Sequence, residues 1–341
     1  MSKFYGFPYM GSKNKLAKRI VSILPKREHL YDLFCGGCAI THRAMEISKY
    51  NHIHINDINP LCTQLFHDAL NGKYENEDRW ISRDDFHRLK NTDPYVACCF
   101  SFGNNFRTYA YSPEIEPKKK ALHYAIFFGD YTLAKKELGV DLSSLEKCPT
   151  REKKYLLAKR IIKERFDLQS AERLNRITPQ YSKKWRFGGY NRQRDKREQT
   201  ISRRYIGAVR GVQPLAKDIT NYPPNIKEKL QYEHTLTMSA LDYQDVEILP
   251  NSCIICDIPY IDTAKYTGKG ESFDHERFYT WAERQTEPLF ICSYWMPEDR
   301  FDIVAEFSRT DTFKSNNKKV IERLFVPKGQ DIKGNIELKL F

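Results

Sequence analysis

The apolar positions of this chain fall into short runs separated by polar turns. Runs of four to six apolar residues are too short for a core helix and are typical of buried parallel strands. Between two of them, apolar residues recur every three or four positions, as on one face of a helix. Alternating strands and helices indicate an α/β fold around a parallel sheet. The pattern predicts strands at 29–34, 52–56, 233–238, 253–257 and 289–293, and helices at 39–49 and 60–70.

Further elements are predicted near both ends and in the middle of the chain. Ser12 is a suitable cap for a first helix that Pro25 would stop. The stretch 151–176 has the apolar spacing of one long helix. Near the carboxyl end, the runs 320–326 and 335–341 flank a turn and predict a hairpin.

The stretch Asp257-Ile258-Pro259-Tyr260 is the most informative candidate site. It follows the apolar run Cys253–Cys256, so it lies at the carboxyl end of a predicted buried strand. Open α/β sheets bind ligands at that edge. A carboxylate can accept a hydrogen bond from an exocyclic amine, and a tyrosine can stack on a flat ring. The stretch therefore predicts a site for a base that carries an amine.

A glycine turn and a second acid point to a nucleoside-like ligand. The strand at 29–34 runs into Gly36-Gly37 before a helix, and glycines at such a turn let the backbone approach a ligand closely. About twenty residues later the next strand ends in Asp57, a position where an acid typically binds ribose hydroxyls. The spacing is not GxGxxG, and no Walker-type lysine follows. Asp57 as a cap of the helix at 60–70 is the alternative.

Taken in order, these motifs resemble those of the Dam-type, alpha-group DNA adenine-N6 methyltransferases. Asp257–Tyr260 resembles the catalytic Asp-Pro-Pro-Tyr, and Asp32–Gly37 resembles the cofactor loop. The segment Pro8–Lys13 resembles the one that closes over the cofactor, and Leu241–Tyr243 the pair at its adenine. The resemblance covers roughly the first 70 and the last 110 residues.

The resemblance implies roles for individual residues, with S-adenosylmethionine as the cofactor and no metal. The catalytic set is Asp257, Ile258, Pro259 and Tyr260. The cofactor-binding set is Tyr9, Gly11, Lys13, Asp32, Phe34, Cys35, Gly36, Gly37, Asp57, Asp242 and Tyr243.

One catalytic position departs from the family pattern. Ile258 stands where the family has proline, so the backbone there loses a rigid φ. The backbone carbonyl that accepts the target amine is still present, and Pro259 biases residue 258 toward the extended region. We therefore expect activity to be retained. RNA adenine methyltransferases also accept an aliphatic residue at this place, so an RNA substrate stays open, as does a catalytically decayed nucleic-acid-binding module.

The resemblance also implies an architecture. We expect a Rossmann-like methyltransferase core with a mixed, mostly parallel seven-stranded sheet and an inserted, largely helical DNA-recognition domain. The catalytic domain would comprise residues 1–70 and 230–341, and the basic target-recognition insert residues 71–229.

Charge is concentrated in the expected insert. Residues 71–229 hold 34 basic and 20 acidic residues, a net +14, whereas the remainder holds 22 and 24, a net −2. Within 181–210, basic side chains alternate with aromatic ones, a pattern suited to phosphates and displaced bases. A solvated basic surface is the alternative. The predicted nucleic-acid-binding residues are Lys183, Lys184, Arg186, Arg192, Arg194, Lys196, Arg197, Arg203 and Arg204.

Composition fits this picture. The mean hydropathy of −0.65 and the absence of a long apolar run argue against a membrane span, and the first residues lack an apolar signal region. Nine unevenly spaced cysteines suggest reduced thiols in the cytoplasm of a bacterial or phage-infected cell. The expected partner is double-stranded DNA, together with a cognate nuclease in a restriction-modification system. We expect a monomer or weak dimer.

Several residues have a plainer interpretation. Cys35-Gly36-Gly37-Cys38 has redox-pair spacing, but the ribose acid that follows favours incidental thiols. Cys98-Cys99 does not supply a matching second pair for zinc. Cys256 is expected to pack in the core. Lys13 as a solvated first-turn lysine is the alternative to a cofactor contact.

Overall fold

The apolar runs form a seven-stranded sheet in the computed structural model, which describes residues 5–74, 77–151, 153–162, 164–165, 235–261, 273–310 and 319–330. The strand order is β3-β2-β1-β4-β5-β7-β6. The strands β3, β2, β1, β4 and β5 are each parallel to their neighbours in this order. β7 runs antiparallel to both β5 and β6. The predicted mixed, mostly parallel sheet of seven strands is confirmed. The strands are β1 His29–Asp32, β2 His52–Asn56, β3 Thr235–Ser239, β4 Ser252–Asp257, β5 Leu289–Ser293, β6 Phe301–Thr310 and β7 Lys319–Pro327.

Two helices, α3 at Pro60–Leu70 and α5 at Pro94–Cys99, begin at a residue whose side chain caps them. Asn59 accepts a hydrogen bond from the Leu61 backbone N–H at the start of α3, and Asp93 accepts one from Val96 at the start of α5. Proline occupies the first turn of both helices, where its missing N–H costs nothing. The helices are α1 Ala17–Ile23, α2 Ala39–Glu46, α3 Pro60–Leu70, α4 Arg83–Leu89, α5 Pro94–Cys99, α6 Glu116–Phe127, α7 Thr132–Leu138 and α8 His275–Glu283, with further helical residues in the described part of 151–165.

Two predictions about local structure were wrong. Ser12 does not cap the first helix: the chain turns at Lys13, and α1 begins only at Ala17. The predicted partner of the strand at 320–326 was also wrong, because β7 is flanked by β6 on one side and β5 on the other. The strand β6 was missed by the periodicity. Residues 331–341 lie outside the described part of the chain.

Chain packing divides the protein into two compact units. One comprises Met1–Asn76, His87–Thr108 and Leu215–Phe341, and the other Glu77–Phe86 and Tyr109–Pro214. Residues 87–108 of the expected insert thus group with the sheet. In the second unit, α6 and α7 share a buried core that includes Leu122 and Leu142. The domain boundaries and the helical DNA-recognition insert stay predictions. Among the described helices, none is long and apolar enough to cross a membrane.

Parallel strands bring the candidate acids to one edge of the sheet. Asp32 and Asp257 are the last residues of the adjacent strands β1 and β4, and Asp57 directly follows β2. The carboxyl ends of parallel strands meet at the same edge, so side chains from distant segments are gathered there.

Three histidines lie side by side on β1 and β2. The His29 Nδ1 and His54 Nε2 atoms are 3.1 Å apart, and the His29 and His52 rings stack with centroids 4.8 Å apart. Burial lowers the pKa of His54 to about 4, and repulsion by the other two rings adds to this. Burial also lowers the pKa of His29. The folded state therefore favours neutral imidazoles at His29 and His54.

This cluster predicts acid sensitivity. The unfolded chain takes up these protons at pH values near the ordinary histidine pKa of 6.5, before the folded state does. Stability contributed by the neutral rings is present above that value and is lost as the pH falls toward 4. We expect His54→Gln to reduce the fall in unfolding free energy between pH 7 and pH 4.5, measured by urea denaturation. The same change at exposed His87 in α4 is the control, and equal pH profiles for wild type and His54→Gln would contradict the prediction.

Candidate active site at the carboxyl edge of the sheet

One cavity of about 880 Å³ opens at the carboxyl edge of the sheet. All of the predicted catalytic and cofactor-binding residues line it, although they come from segments up to 250 residues apart in the sequence. The sequence motifs therefore describe a single site within one unit. The predicted residues that line the cavity are Tyr9, Gly11, Lys13, Asp32, Phe34, Cys35, Gly36, Gly37, Asp57, Asp242, Tyr243, Asp257, Ile258, Pro259 and Tyr260.

The glycine turn packs closely against the amino-terminal segment. The Phe7 backbone N–H donates to the Gly37 carbonyl at 2.9 Å. A Cβ on Gly37 would lie 2.7 Å from the Phe7 carbonyl oxygen and 2.8 Å from Tyr9 Cβ, which is closer than atoms can approach. Gly36 has a φ of 45°, in the left-handed region that favours glycine. The glycines thus allow residues 7–9 to lie directly on the turn, and Tyr9 lines the cavity.

Asp57 joins this turn to the next strand. Its Oδ2 accepts the Gly36 N–H at 2.9 Å and its Oδ1 accepts the Asn59 N–H at 2.9 Å. The cap of α3 is Asn59, so Asp57 is not the residue that caps the helix. Burial raises the pKa of Asp57 to about 6 despite the two N–H bonds. Each carboxylate oxygen has a second lone pair, so the group can still accept hydroxyl hydrogens from a ligand.

Asp32 is a buried acid at the floor of the cavity. Its Oδ2 accepts a hydrogen bond from the Thr41 hydroxyl of α2 at 2.7 Å. Burial raises its pKa to about 7, with repulsion from Asp257 and Asp57 also contributing. A cationic ligand would favour the ionised forms of these carboxyl groups.

Aromatic side chains form another wall. Tyr243 lies 5.4 Å from Phe34 and 6.1 Å from Phe273, measured between ring centroids. Its neighbour Asp242 accepts the Gln244 N–H at 3.1 Å and a hydrogen bond from the Arg277 guanidinium at 3.0 Å. Arg277 thereby fixes the predicted adenine-binding pair from α8.

Lys13 contacts the predicted catalytic motif, which is distant in the sequence. Its Nζ lies 2.5 Å from Asp257 Oδ2 and 3.0 Å from Glu322 Oε1, and its side chain is only 6% exposed. Burial alone would lower the pKa of Lys13, but the attraction of the two carboxylates outweighs it and holds that pKa above its usual value. The solvated-lysine alternative is therefore wrong. In this structure Lys13 neutralises acids of the site.

Asp257 also contacts the tyrosine of its own motif. The Tyr260 hydroxyl can donate to Asp257 Oδ1 at 3.2 Å or to Glu322 Oε1. Burial raises the pKa of Asp257 to about 6, while Lys13 lowers it and Glu322 raises it. At neutral pH the carboxylate form predominates, so Asp257 is an acceptor.

Ile258 and Cys256 serve the hydrophobic core. The Ile258 side chain is 2% exposed and belongs to the cluster that includes Met296 and Phe325. An aliphatic residue in place of proline thus fills the core behind the motif. Cys256 is fully buried in the same cluster, and burial raises the pKa of its thiol. Cys35 and Cys38 are free, buried thiols as well. Within the described ranges, no group of three or more His, Cys, Asp or Glu side chains is placed to hold a metal ion.

Structure adds residues that sequence reasoning missed. Glu322 on β7 is 1% exposed yet touches both Lys13 and Tyr260. The sequence feature that could have identified Glu322 is a single carboxylate within the largely apolar run 320–326. Ile58 lines the cavity with 66% of its side chain exposed, next to Asp57. An exposed apolar side chain beside Asp57, the predicted ribose-binding acid, suits the face of a flat ring.

The polar segment 101–107 is a turn at the cavity mouth. Asn105 Oδ1 accepts the backbone N–H groups of Arg107 and Thr108, and Phe102–Asn104 form one turn of 3₁₀ helix. Phe106 has a φ of 62° and packs against Tyr9 with centroids 5.5 Å apart. Asn105, Phe106 and Arg107 line the cavity.

The predicted nucleic-acid-binding residues lie outside the described part of the chain. Their position relative to the cavity is therefore a matter of sequence alone. They are Lys183, Lys184, Arg186, Arg192, Arg194, Lys196, Arg197, Arg203 and Arg204.

Comparison with known proteins agrees with the sequence motifs. Residues 9–114 match the family model of the D12 class N6 adenine-specific DNA methyltransferases. The match includes the amino-terminal segment, the glycine turn and Asp57, and ends before the Asp257 motif. No curated protein matches the chain. Residues 9–114 are thus similar to a domain of the D12 class N6 adenine-specific DNA methyltransferases, a family of S-adenosylmethionine-dependent enzymes, and this is consistent with a Dam-type adenine methyltransferase.

Proposed function

We propose that the chain transfers a methyl group from S-adenosylmethionine to N6 of an adenine at specific sites in double-stranded DNA. The main support is that Asp257 and Asp57 line one cavity, each at the end of a parallel strand of the same sheet. One acid suits the target amine and the other a ribose. The family match supports adenine-N6 methylation of DNA.

The residues around the glycine turn fit a cationic nucleoside. We infer that Asp57 accepts the ribose hydroxyls, and that Ile58, Phe34 and Tyr243 enclose the adenine ring beside Asp242. When bound, the cofactor supplies an electrophilic methyl group on a sulfonium. The buried acid Asp32 complements its positive charge. A cavity of about 880 Å³ is large enough for this ligand together with one base.

The catalytic motif fits the target base. The N6 lone pair of adenine is delocalised into its ring and is a weak nucleophile. Hydrogen bonds from the amine to Asp257 and to the Ile258 carbonyl favour a tetrahedral nitrogen, which stabilises charge that develops in the transition state. Because the base cannot be reached inside a duplex, it must be flipped out into the cavity, where Tyr260 stacks on it.

Contacts with Lys13 keep the Asp257 carboxylate ionised and in a fixed orientation. Protonated Lys13 holds Asp257 in its ionised form at neutral pH, so that the amine meets an acceptor. Its 2.5 Å contact with Oδ2 also fixes the carboxylate plane. The second lone pair on each oxygen is available to the substrate amine. Positioning of this kind contributes to rate because the reacting atoms are aligned before the reaction starts.

We expect the segment 181–210 to supply much of the DNA affinity by neutralising phosphates. Replacing Arg192, Arg194, Lys196 and Arg197 by Gln should weaken binding to specific and nonspecific duplexes alike. The slope of log K against log salt should flatten by up to about 0.9 for each phosphate that the variant no longer neutralises. Fluorescence anisotropy across a salt series measures both quantities, and cofactor affinity is the control. An unchanged salt slope would return this cluster to a solvated surface.

Methyl transfer by the purified protein tests the proposal. Labelled S-adenosylmethionine is supplied with duplex DNA, with RNA of the same sequence or with neither. We expect label on adenine N6 in DNA. Transfer to RNA alone would identify an RNA methyltransferase, and binding without transfer to either polymer would identify a decayed module. Mapping methylated bases in DNA from expressing cells would then give the recognition sequence.

The cellular setting follows from the same proposal. A cognate restriction nuclease, a cytoplasmic location in a bacterial or phage-infected cell, and a monomer or weak dimer are predictions made from the family resemblance. Sedimentation of the protein with and without a DNA duplex would test the last of these.

A further inference from the structure

Glu322 is a buried carboxylate that belongs to no motif of the sequence. It lies on β7, which is antiparallel to its neighbours, and its side chain is 1% exposed. Lone acids are rarely buried this deeply unless they are paired. Its Oε1 meets Lys13 Nζ at 3.0 Å and the Tyr260 hydroxyl, so one oxygen touches two residues of the predicted site.

Four side chains make a closed network. Lys13 bridges Asp257 and Glu322, and the Tyr260 hydroxyl spans the same two carboxylates from the other side. The Lys13 Nζ also lies 5.0 Å from the centroid of the Tyr260 ring. Each polar end of the network is thereby held at two points. Such a closed set of contacts restricts both the carboxylate of Asp257 and the ring of Tyr260.

Burying these charged groups costs free energy, so their presence needs an explanation. One lysine faces two carboxylates, so the three charges sum to −1 away from water. Replacing buried ionic groups by apolar ones is often neutral or stabilising, so such groups are weak evidence for stability. The network includes Asp257, the predicted acceptor, and this points to a role in catalysis.

We propose that Glu322 is a positioning residue of the methyl-transfer reaction, which acts through Tyr260 and Lys13 to orient the ring and the carboxylate that receive the target base. This inference rests on the proposed function. The hydroxyl contact holds the Tyr260 ring in the orientation for stacking. The contact with Lys13 keeps the ammonium between the two acids, so Asp257 shares its counter-charge with Glu322.

Because Asp257 and Glu322 share the positive charge of Lys13, the proposal predicts how the methylation rate depends on pH in the variants. Glu322 opposes ionisation of Asp257, whereas Lys13 promotes it. Removing Glu322 should shift the acidic limb of the rate profile to lower pH, and removing Lys13 should shift it to higher pH. A purely structural role would not give opposite shifts. The charged or titratable groups that face Asp257 are Lys13, Glu322, Tyr260, Asp32, Cys256 and Cys292.

The experiment measures kcat and KM for DNA methylation from pH 5 to pH 9. For Glu322→Gln we expect kcat at pH 7.5 to fall about tenfold or more, with cofactor affinity unchanged, and its acidic limb to move down by about one pH unit. Lys13→Gln should move that limb up. Glu306→Gln is the matched control, since Glu306 is half-exposed on neighbouring β6 and paired with Arg323. It should keep wild-type kinetics.

Tyr260→Phe tests the same network without altering a buried charge, which matters if Glu322→Gln fails to fold. It keeps the ring and removes only the hydroxyl, and it should also lower kcat. The loss in the double variant should be smaller than the sum of the two single losses, because both changes weaken the contact between residues 260 and 322. Wild-type kcat in Tyr260→Phe, or wild-type kcat and pH profile in a folded Glu322→Gln, would overturn the inference alone. Absence of methyl transfer by the unaltered protein would overturn the proposed function and this inference with it.

Discussion

Asp257→Asn should lower kcat for DNA methylation by at least about a hundredfold, or ~2.7 kcal/mol of transition-state stabilisation. The substitution keeps the shape of the side chain but replaces one acceptor oxygen by an NH₂ donor. That donor would face the Lys13 ammonium or the substrate amine, both of which are donors. The amine then loses the acceptor that favours a tetrahedral nitrogen. Cofactor affinity should stay within several-fold, because we assign Asp257 to the target base.

Single-turnover methylation and calorimetry with the cofactor measure the two quantities separately. Asp302→Asn is a matched control, since Asp302 is exposed on β6 away from the cavity. An Asp257→Asn variant that keeps more than about a tenth of the rate, a loss below ~1.4 kcal/mol, would show that Asp257 is not the catalytic acceptor.

Asp57→Asn should weaken S-adenosylmethionine binding by about ten- to a hundredfold, or ~1.4 to ~2.7 kcal/mol. Two effects combine. The ribose hydroxyls lose a charged acceptor. The amide can satisfy only one of the two backbone N–H groups that Asp57 now accepts, from Gly36 and from Asn59. The other N–H would face an NH₂ group, so the glycine turn should also lose order.

Titration calorimetry on the folded variant decides this second prediction. Asp93→Asn is the control, because Asp93 likewise accepts a backbone N–H at a helix start but lies outside the cavity. Cofactor affinity equal to that of the wild type would remove Asp57 from the binding site and leave it a structural acid of the turn.

The sheet was largely predictable from sequence. Strands β1, β2, β4 and β5 match the expected runs to within two residues. β4 and β5 are buried and mostly apolar, as strands covered on both faces are, whereas β1 and β2 also carry histidines. Each run was ended by a polar residue, so the acids at the carboxyl edge could be assigned before their neighbours were known. The positions of these four strands follow from local patterns that do not depend on distant contacts.

Local patterns failed where a distant residue decided the outcome. Ser12 looked like a helix cap, but Lys13 is drawn toward Asp257, 244 residues away in the sequence. The chain turns at Lys13, and α1 begins only at Ala17. β7 looked like half of a terminal hairpin, but it inserts between β5 and β6. Which strands pair depends on which strand edges are still unpaired in the folded sheet, and the local sequence does not contain that information.

By itself, the sequence determined the strands β1, β2, β4 and β5, the glycine turn and the acids at the ends of β1, β2 and β4, because burial and turn geometry act on neighbouring residues. The family motifs determined which acids to assign to cofactor and target. Only the tertiary structure decided that Lys13 neutralises Asp257, that Glu322 completes the network, and that Ile258 fills the core behind the motif. Those contacts join segments from opposite ends of the chain. A buried charge takes whichever opposite charge the fold brings within reach, since leaving it unpaired away from water would cost several kcal/mol.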